Sequence, residues 1–477
     1  MRYPSVAMDF ESPLADMPAE EFRKAGHEIV DWIANYLAEP RQRAVVADIV
    51  PGQLVDQLPA QAPEQGEPFE AIFRDFQDLI VPASTIWNHP RFFNFFSVST
   101  SGPGILAEAL IATLNMNGMI WKSSPAVTEL EQVTLGWLRQ WLGLPDSFFG
   151  MIHDTASLAT MHAILAARTM ADGGIRTEGG SPGMVLYTSE QAHSSVEKGA
   201  LALGIGQKFV RKIGLDGAYR MRPDLLREAI AADKAAGLRP FCVVATVGTT
   251  ATTAVDPVQE IADICEAEKL WLHVDGAYGG HAGLVPEYRH YLAGCERAHS
   301  FVVNPHKWLF TPIDLSAFYT RHPEVLRQAL SLVPSYLQSA ENPRAVNYMD
   351  YSVALGRRFR ALKLWFVMRY FGHERIVGIV RHHIEMAQRL AERIAADERF
   401  EVVAPVPLSL VCFRLRGPDE LTRKLLERVD ADRHAFLGQT VLDGRLVIRW
   451  AIGNIHTTEA DIAETWELVR SCSAFPG

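Results

Sequence analysis

From about residue 146 onward, short apolar runs alternate with stretches of helical length. That rhythm predicts an α/β fold with a mostly parallel, doubly wound sheet. The runs 184–188, 241–247, 270–274, 301–303 and 315–319 are almost continuously apolar, as strands covered on both faces must be. Stretches 156–170, 222–236 and 258–268 supply helices between them. A second observation is the texture after residue 370. A long helix around 375–396, strands near Phe400 and at 409–415, a helix from Pro418, a strand at 446–451 and a last helix from Thr458 predict a small α+β domain. A third is the start of the chain, which holds two amphipathic helices and little else. The expected division is 1–85, a helical segment; 86–370, the large domain; and 371–477, the small C-terminal domain.

In chain order, Phe22, Ala25, Ile29, Ile33, Tyr36 and Leu37 mark one face of a helix that must stop before Pro40. Phe69, Ile72, Phe73, Phe76, Leu79 and Ile80 mark another, beyond a Pro-rich link. These helices make little core of their own and are expected to pack on a partner subunit. Trp87-Asn88-His89-Pro90-Arg91-Phe92-Phe93-Asn94-Phe95-Phe96 has neither helical nor strand period. So many aromatics could line a slot for a flat ligand, or simply face the core. Residues 97–104 read as small and flexible. Ser124-Pro125 then caps a helix with Leu130, Val133, Trp137 and Trp141 facing inward, ending at Gly143-Leu144-Pro145. The irregular stretch after Ser331, through Pro334 and Pro343, reads as a long functional loop.

Among 477 residues, 48% are hydrophobic and 21% charged, proportions of an ordinary globular protein. A formal charge of −10 argues against nucleic acid or an anionic membrane as partner. Five widely spaced cysteines without a CxxC pair suggest reduced thiols, neither a disulfide framework nor a zinc site. No signal-like or membrane-spanning stretch is evident, so a cytoplasmic protein is expected.

Chemistry gathers at the strand ends. Ser300-Phe301-Val302-Val303-Asn304-Pro305-His306-Lys307-Trp308 places a lysine between a buried strand and a tryptophan. An amine in an apolar pocket loses its proton readily and becomes a nucleophile of the Schiff-base kind; a lysine snorkelling to the surface is the ordinary alternative. In Leu270-Trp271-Leu272-His273-Val274-Asp275-Gly276-Ala277-Tyr278, a carboxylate emerges from an apolar strand and requires a cationic partner or a turn to cap. The small Ala277 leaves room for a flat ring. Thr246 ends another strand before Gly248-Thr249-Thr250. His153-Asp154-Thr155-Ala156-Ser157 leads into a helix whose first N–H groups suit a phosphate, though Ser and Thr are also common caps. Gln191-Ala192-His193-Ser194-Ser195 adds a histidine. An amine nucleophile, an aspartate for a ring nitrogen, a flat slot and a phosphate cradle together match the demands of pyridoxal 5'-phosphate.

Asn304-Pro305-His306-Lys307-Trp308, His273-Val274-Asp275-Gly276-Ala277-Tyr278 and Gln191-Ala192-His193-Ser194-Ser195 strongly resemble the group II pyridoxal-phosphate decarboxylases, in particular their aromatic-amino-acid branch. The likeness runs from Glu21 nearly to Trp466, through Ser124-Pro125-Ala126, Ala245-Thr246-Val247-Gly248-Thr249-Thr250 and Leu355-Gly356-Arg357-Arg358-Phe359. It implies fold type I, a homodimer with active sites at the interface, and decarboxylation of an aromatic L-amino acid to the amine. It further implies that Lys307 forms the Schiff base, that Asp275 salt-bridges the pyridine nitrogen, and that His193 stacks on the ring opposite Ala277. Thr155, Ala156, Ser157 and Asn304 would hold the phosphate. Thr246 would touch cofactor or substrate, His306 would lie beside the Schiff base, and Tyr336, in the family's catalytic loop, would protonate Cα. Trp87, Phe95, Phe96 and Gly356 are the implied substrate contacts. Two departures stand out. Animal members carry a Gly-Ser-Ala-Ser type turn where this chain has Asp154-Thr155-Ala156-Ser157, and a tyrosine where it has Phe95. Gly356 stands where plant relatives carry glycine for indolic and serine for phenolic substrates, a slight lean to tryptophan-like acids. An aldehyde-forming oxidative member, an aminotransferase or carbon–sulfur lyase on the same fold, and a non-catalytic scaffold are the alternatives.

Overall fold

The computed structural model describes residues 16–332 and 344–474. Along the chain the strands are β1 (Phe92–Phe93), β2 (Phe149–His153), β3 (Met184–Ser189), β4 (Val210–Ile213), β5 (Arg239–Thr246), β6 (Trp271–Asp275), β7 (Ser300–Val303), β8 (Ser316–Thr320), β9 (Phe400–Val402), β10 (Leu410–Leu415), β11 (Phe436–Leu442) and β12 (Arg445–Ala451). Seven form the large sheet, in the order β2-β8-β7-β6-β5-β3-β4. Its neighbours pair in parallel from β4 through β3, β5 and β6 to β7, and β8 alone runs against them. Strands β3, β6, β7 and β8 are buried along their whole length, which explains their unbroken apolar runs.

The helices that matter to the site are α1 (Ala19–Ala38), α2 (Phe69–Asp75), α3 (Gly102–Leu114), α4 (Pro125–Leu142), α5 (Ala156–Ala171), α6 (Ser195–Ala202), α7 (Pro223–Ala235), α8 (Val258–Glu268) and α9 (Ala361–Ala395). Helix α5 packs across the sheet and carries buried Ala159, Ala163, Ile164 and Ala166 against it. The expected helix around 375–396 is longer: α9 crosses the 370/371 boundary and bends at Gly372, whose φ of 67° an L side chain rarely adopts. The small sheet has the order β1-β11-β12-β10-β9. Its edge strand β1 comes from the aromatic stretch, with Phe92 opposite Phe436 and Phe93 opposite Leu437. The expected large domain therefore lends β1 to the small sheet, and α9 runs across the 370/371 boundary.

Three local expectations need correction. Helix α4 buries Val127, Glu131, Leu135, Leu138 and Leu142, while Val133 is exposed and Leu130, Trp137 and Trp141 lie at the margin of the core. The helix is turned because Glu131 accepts hydrogen bonds from Arg357 Nη2 (2.6 Å) and Ile152 N (2.7 Å), so the inward face includes a charge that apolar periodicity cannot find. Ser124 does not cap this helix with its side chain; its hydroxyl donates to Asn117 O (2.8 Å). Residues 97–104 are packed rather than loose: Ser99 and Ser101 are buried, Ser101 Oγ donates to Phe310 O (2.9 Å), and α3 begins at Gly102.

The N-terminal helices pack partly on each other, with Trp32 edge-on to Phe73 and Phe76. The chain between and after them is tied to the small domain, where Arg41 and Arg91 both donate to the buried Asp461 and Val45 N donates to Arg433 O. Phe22 and Ile72 stay exposed.

Candidate active site

Five loops leave the carboxyl ends of the large sheet at one edge, where open α/β sheets take their ligands. Thr246 ends β5 and is in register with Asp275, the last residue of β6, which is itself in register with Val302 of β7. Just past β7, Asn304-Pro305 breaks the strand and Pro305–Trp308 forms one helical turn that places Lys307. Thr155 follows β2 and His193 follows β3. One cavity of about 210 Å³ is lined by Thr155, Ala156, Ser157, His193, Thr246, Asp275, Ala277, Asn304, His306 and Lys307. The larger surface clefts, such as that between Arg393 and Arg470, share none of these residues.

Local bonding sets the role open to each group. Asp275 is buried, and Ala277 N donates to its Oδ1 (3.0 Å), which fixes the carboxylate at the strand end. Burial lowers the pKa of the Lys307 amine against the pull of Asp275, favouring the neutral nucleophile. His193 Nδ1 accepts from Ser195 N (3.2 Å) and faces Ser195 Oγ (2.9 Å). The neutral ring then carries its proton on Nε2. Burial also lowers the pKa of His193, with Asp275 opposing and Lys307 assisting. His306 accepts from Leu315 N at Nδ1 (3.0 Å), and burial, with Lys307 beside it, pushes its pKa down to about 3. Asn304 Oδ1 is taken up by Ser316 Oγ (2.6 Å), which leaves the amide NH₂ as its free end. Thr155 caps α5 by accepting from Leu158 N (3.4 Å), and Asp154 accepts from Thr155 N (2.6 Å). The last contact puts a carboxylate next to the expected phosphate cradle.

Phe96 forms one wall. Its ring stacks on Tyr278 at 3.7 Å, Tyr278 stacks on Trp308 at 4.5 Å, and Lys307 Nζ lies 5.4 Å from the Phe96 centroid. Tyr278 OH reaches Ser409 Oγ at 2.5 Å, so the wall is anchored in the small domain. Trp87 and Phe95 do not line this cavity. They stack on each other at 5.4 Å and are 42% and 51% exposed, with Phe95 at a φ of 50°. Gly356 is also exposed and lies beside Asn117. Tyr336 lies outside the described residues. Ser195, Gly248, Thr250 and Tyr278 line the cavity although no motif assigned them an individual role. All four sit inside or directly after motifs already noted, which was the available signal. Gly248 is required sterically: its φ is +85°, and a Cβ there would approach Gly279 Cα to 2.8 Å.

These residues fit pyridoxal phosphate. A carboxylate and an amine share the cavity, the N-terminus of a 16-residue helix opens onto it, and Thr246 Oγ1 is buried without a protein partner. Among the described residues, no cluster is arranged to hold a metal ion. Residues 51–416 match the family model of the pyridoxal-dependent decarboxylase conserved domain. The chain belongs to this family. It is similar to the aromatic-L-amino-acid decarboxylase of Sus scrofa, 41% identical over 96% of this chain and 97% of that protein. Among solved structures it is similar to Oryza sativa TDC with PLP and tryptamine (TM-score 0.93, 35% identity, 96% of this chain and 98% of that one). It is also similar to the 4-hydroxyphenylacetaldehyde synthase of Rhodiola rosea (TM-score 0.89, 36% identity, the same coverage). The decarboxylase is thus a fold type I, pyridoxal-phosphate-dependent carboxy-lyase of the aromatic-amino-acid-decarboxylase kind.

Proposed function

We propose that the chain converts an aromatic L-amino acid, preferably a tryptophan-like one, into the arylalkylamine and carbon dioxide. The observation that carries this reading is the placement of Lys307 and Asp275 in one cavity whose wall, Phe96, faces the lysine amine. The tryptamine in the rice structure supports the indolic preference. When bound, pyridoxal phosphate supplies an electron sink for the pair left at Cα as carbon dioxide departs. Lys307 would hold the cofactor and later release the product amine. Asp275 would keep a proton on the ring nitrogen, and His193 would lie over the ring with Ala277 opposite. Thr155, Ala156, Ser157 and Asn304 would bind the phosphate, Thr246 and His306 would border the reacting end, and Phe96 would exclude water. Tyr336 is assigned protonation of Cα, alone or with His193, on sequence grounds. Exposed Leu106, Leu110 and Leu114 along α3, with Trp87 and Phe95, support a homodimer whose partner completes the substrate slot with Gly356.

The test is mass spectrometry of products after incubating cofactor-loaded protein with each aromatic amino acid. Amine plus carbon dioxide with an indolic preference is expected; no amine from any of them would overturn the proposal. Similarity to the aldehyde synthase favours one second reading, oxidative decarboxylation, for which aldehyde plus ammonia would be the signature. Tyr336→Phe should shift wild-type amine towards aldehyde, and an unchanged amine yield would remove Tyr336 from the protonation step.

A further inference from the structure

Among the described residues, Thr246 is the one cavity residue whose hydroxyl is buried without a protein partner, and the backbone that aims it is held from behind by a second buried carboxylate. Asp256 is 2% exposed. Its Oδ2 accepts from Thr246 N (2.8 Å) and its Oδ1 from Met221 N (2.7 Å), at the entry to α7. Its own N–H returns to Thr246 O (2.9 Å), so the two residues are bonded in both directions. Between them the chain makes a tight return. Val247 bridges Val255, and Gly248 N and Thr249 N both donate to Ala254 O at 3.0 Å. This return carries Gly248 and Thr250 to the cavity wall. Its tip is fixed too, since Ala251 O accepts from Cys412 Sγ and Arg449 Nε of the small domain, each at 3.2 Å.

A carboxylate buried on two backbone N–H groups is costly to place there and strongly directional once placed. An apolar side chain in its place would leave both buried N–H groups without an acceptor. We propose that Asp256 is a positioning residue for the cofactor: it fixes the end of β5 so that the Thr246 hydroxyl stays directed at bound pyridoxal phosphate. Asp256 touches nothing in the cavity and acts only through Thr246. Asparagine in its place keeps one acceptor but turns an N–H towards one of the two donors, so one of the bonds must break.

The inference rests on pyridoxal phosphate occupying this cavity, and the test separates the two. Cofactor-free protein is titrated with pyridoxal phosphate and the dissociation constant read from absorbance, for wild type, Asp256→Asn, Thr246→Val and the double variant. Asp256→Asn is expected to weaken binding about tenfold when Thr246 is present, and less than about twofold when it is valine. Equal weakening in both backgrounds would overturn the proposal, because Asp256 would then act by general packing. Should Asp256→Asn not fold, as judged by its melting transition, Asp256→Glu enters the same cycle; it keeps the charge and displaces it by one methylene. A wild type that binds no pyridoxal phosphate would instead refute the cavity assignment.

Discussion

Phe95 and Phe96 are neighbours in the chain and occupy opposite environments. Phe96 is 6% exposed, clamped on Tyr278 and facing Lys307, whereas Phe95 is 51% exposed and stacked on Trp87. The contrast extends to their regions. Around the ends of β5, β6 and β7, Thr246, Asp275, Ala277, Asn304, His306 and Lys307 reach one cavity because neighbouring parallel strands in register end at the same edge. In the aromatic stretch the backbone has no regular period, and a positive φ at Phe95 throws adjacent rings to opposite sides. Regular structure transmits sequence spacing into space; irregular structure does not.

The strongest way to break this comparison is at the strand ends. Lys307→Ala should lower turnover by about 10³-fold or more while leaving the fold intact, read from amine product and the melting transition. A residual rate near wild type would place the chemistry elsewhere. Next comes the direct contrast. Phe96→Leu should lower kcat/KM by roughly tenfold, since it removes the stacked wall beside Lys307, a loss of the order of one aromatic pair. Phe95→Leu should cost less than about threefold unless a partner subunit covers it; kinetics run beside a measurement of oligomeric mass distinguishes these outcomes.

Asp256 gives a stability prediction for the strand-end region. Burial raises its pKa to about 6, against the hydrogen bonds from Met221 and Thr246; Asp216 nearby adds to the rise and Arg220 opposes it. An unfolded aspartate titrates near 4. Between those values the folded chain holds a proton that the unfolded chain has lost, so the Asp256 contribution falls as pH rises from about 4 to about 6, by roughly 2–3 kcal/mol. Urea midpoints measured across that range should show the slope in wild type and a shallower one in Asp256→Asn. The smallest effect is expected from Phe95→Tyr, a shift of less than about twofold in the kcat/KM ratio of phenolic to indolic substrates, measured by competition between the two.

Much of the large domain was legible because its strands announce themselves. Residues 184–188, 241–247, 270–274 and 301–303 each fall within one residue of β3, β6 and β7 or within two of β5, and α8 begins and ends where expected. Strands β1, β2, β4 and β11 were not seen. β2 is short and starts with the mixed Phe149-Gly150, β4 carries Arg211 and Lys212, and β11 carries exposed Val441 with Gly438 and Gln439. None has an apolar run long enough to stand out. Asp256 was missed because its partners are backbone groups 35 and 10 residues away, which no side-chain pattern encodes.

The sequence alone determined the chemistry of the site: a lysine, a carboxylate, a histidine and hydroxyls placed at the ends of apolar runs, which parallel strands must bring to one edge. Only the tertiary structure decided which aromatic ring faces the lysine, which face of α4 is buried, and which carboxylate holds Thr246 from behind. The reason is physical. Strand ends are ordered by hydrogen-bond register, a local and periodic property. Ring placement and buried charge are settled instead by contacts between segments far apart in the chain, such as Tyr278 with Ser409 and Glu131 with Arg357.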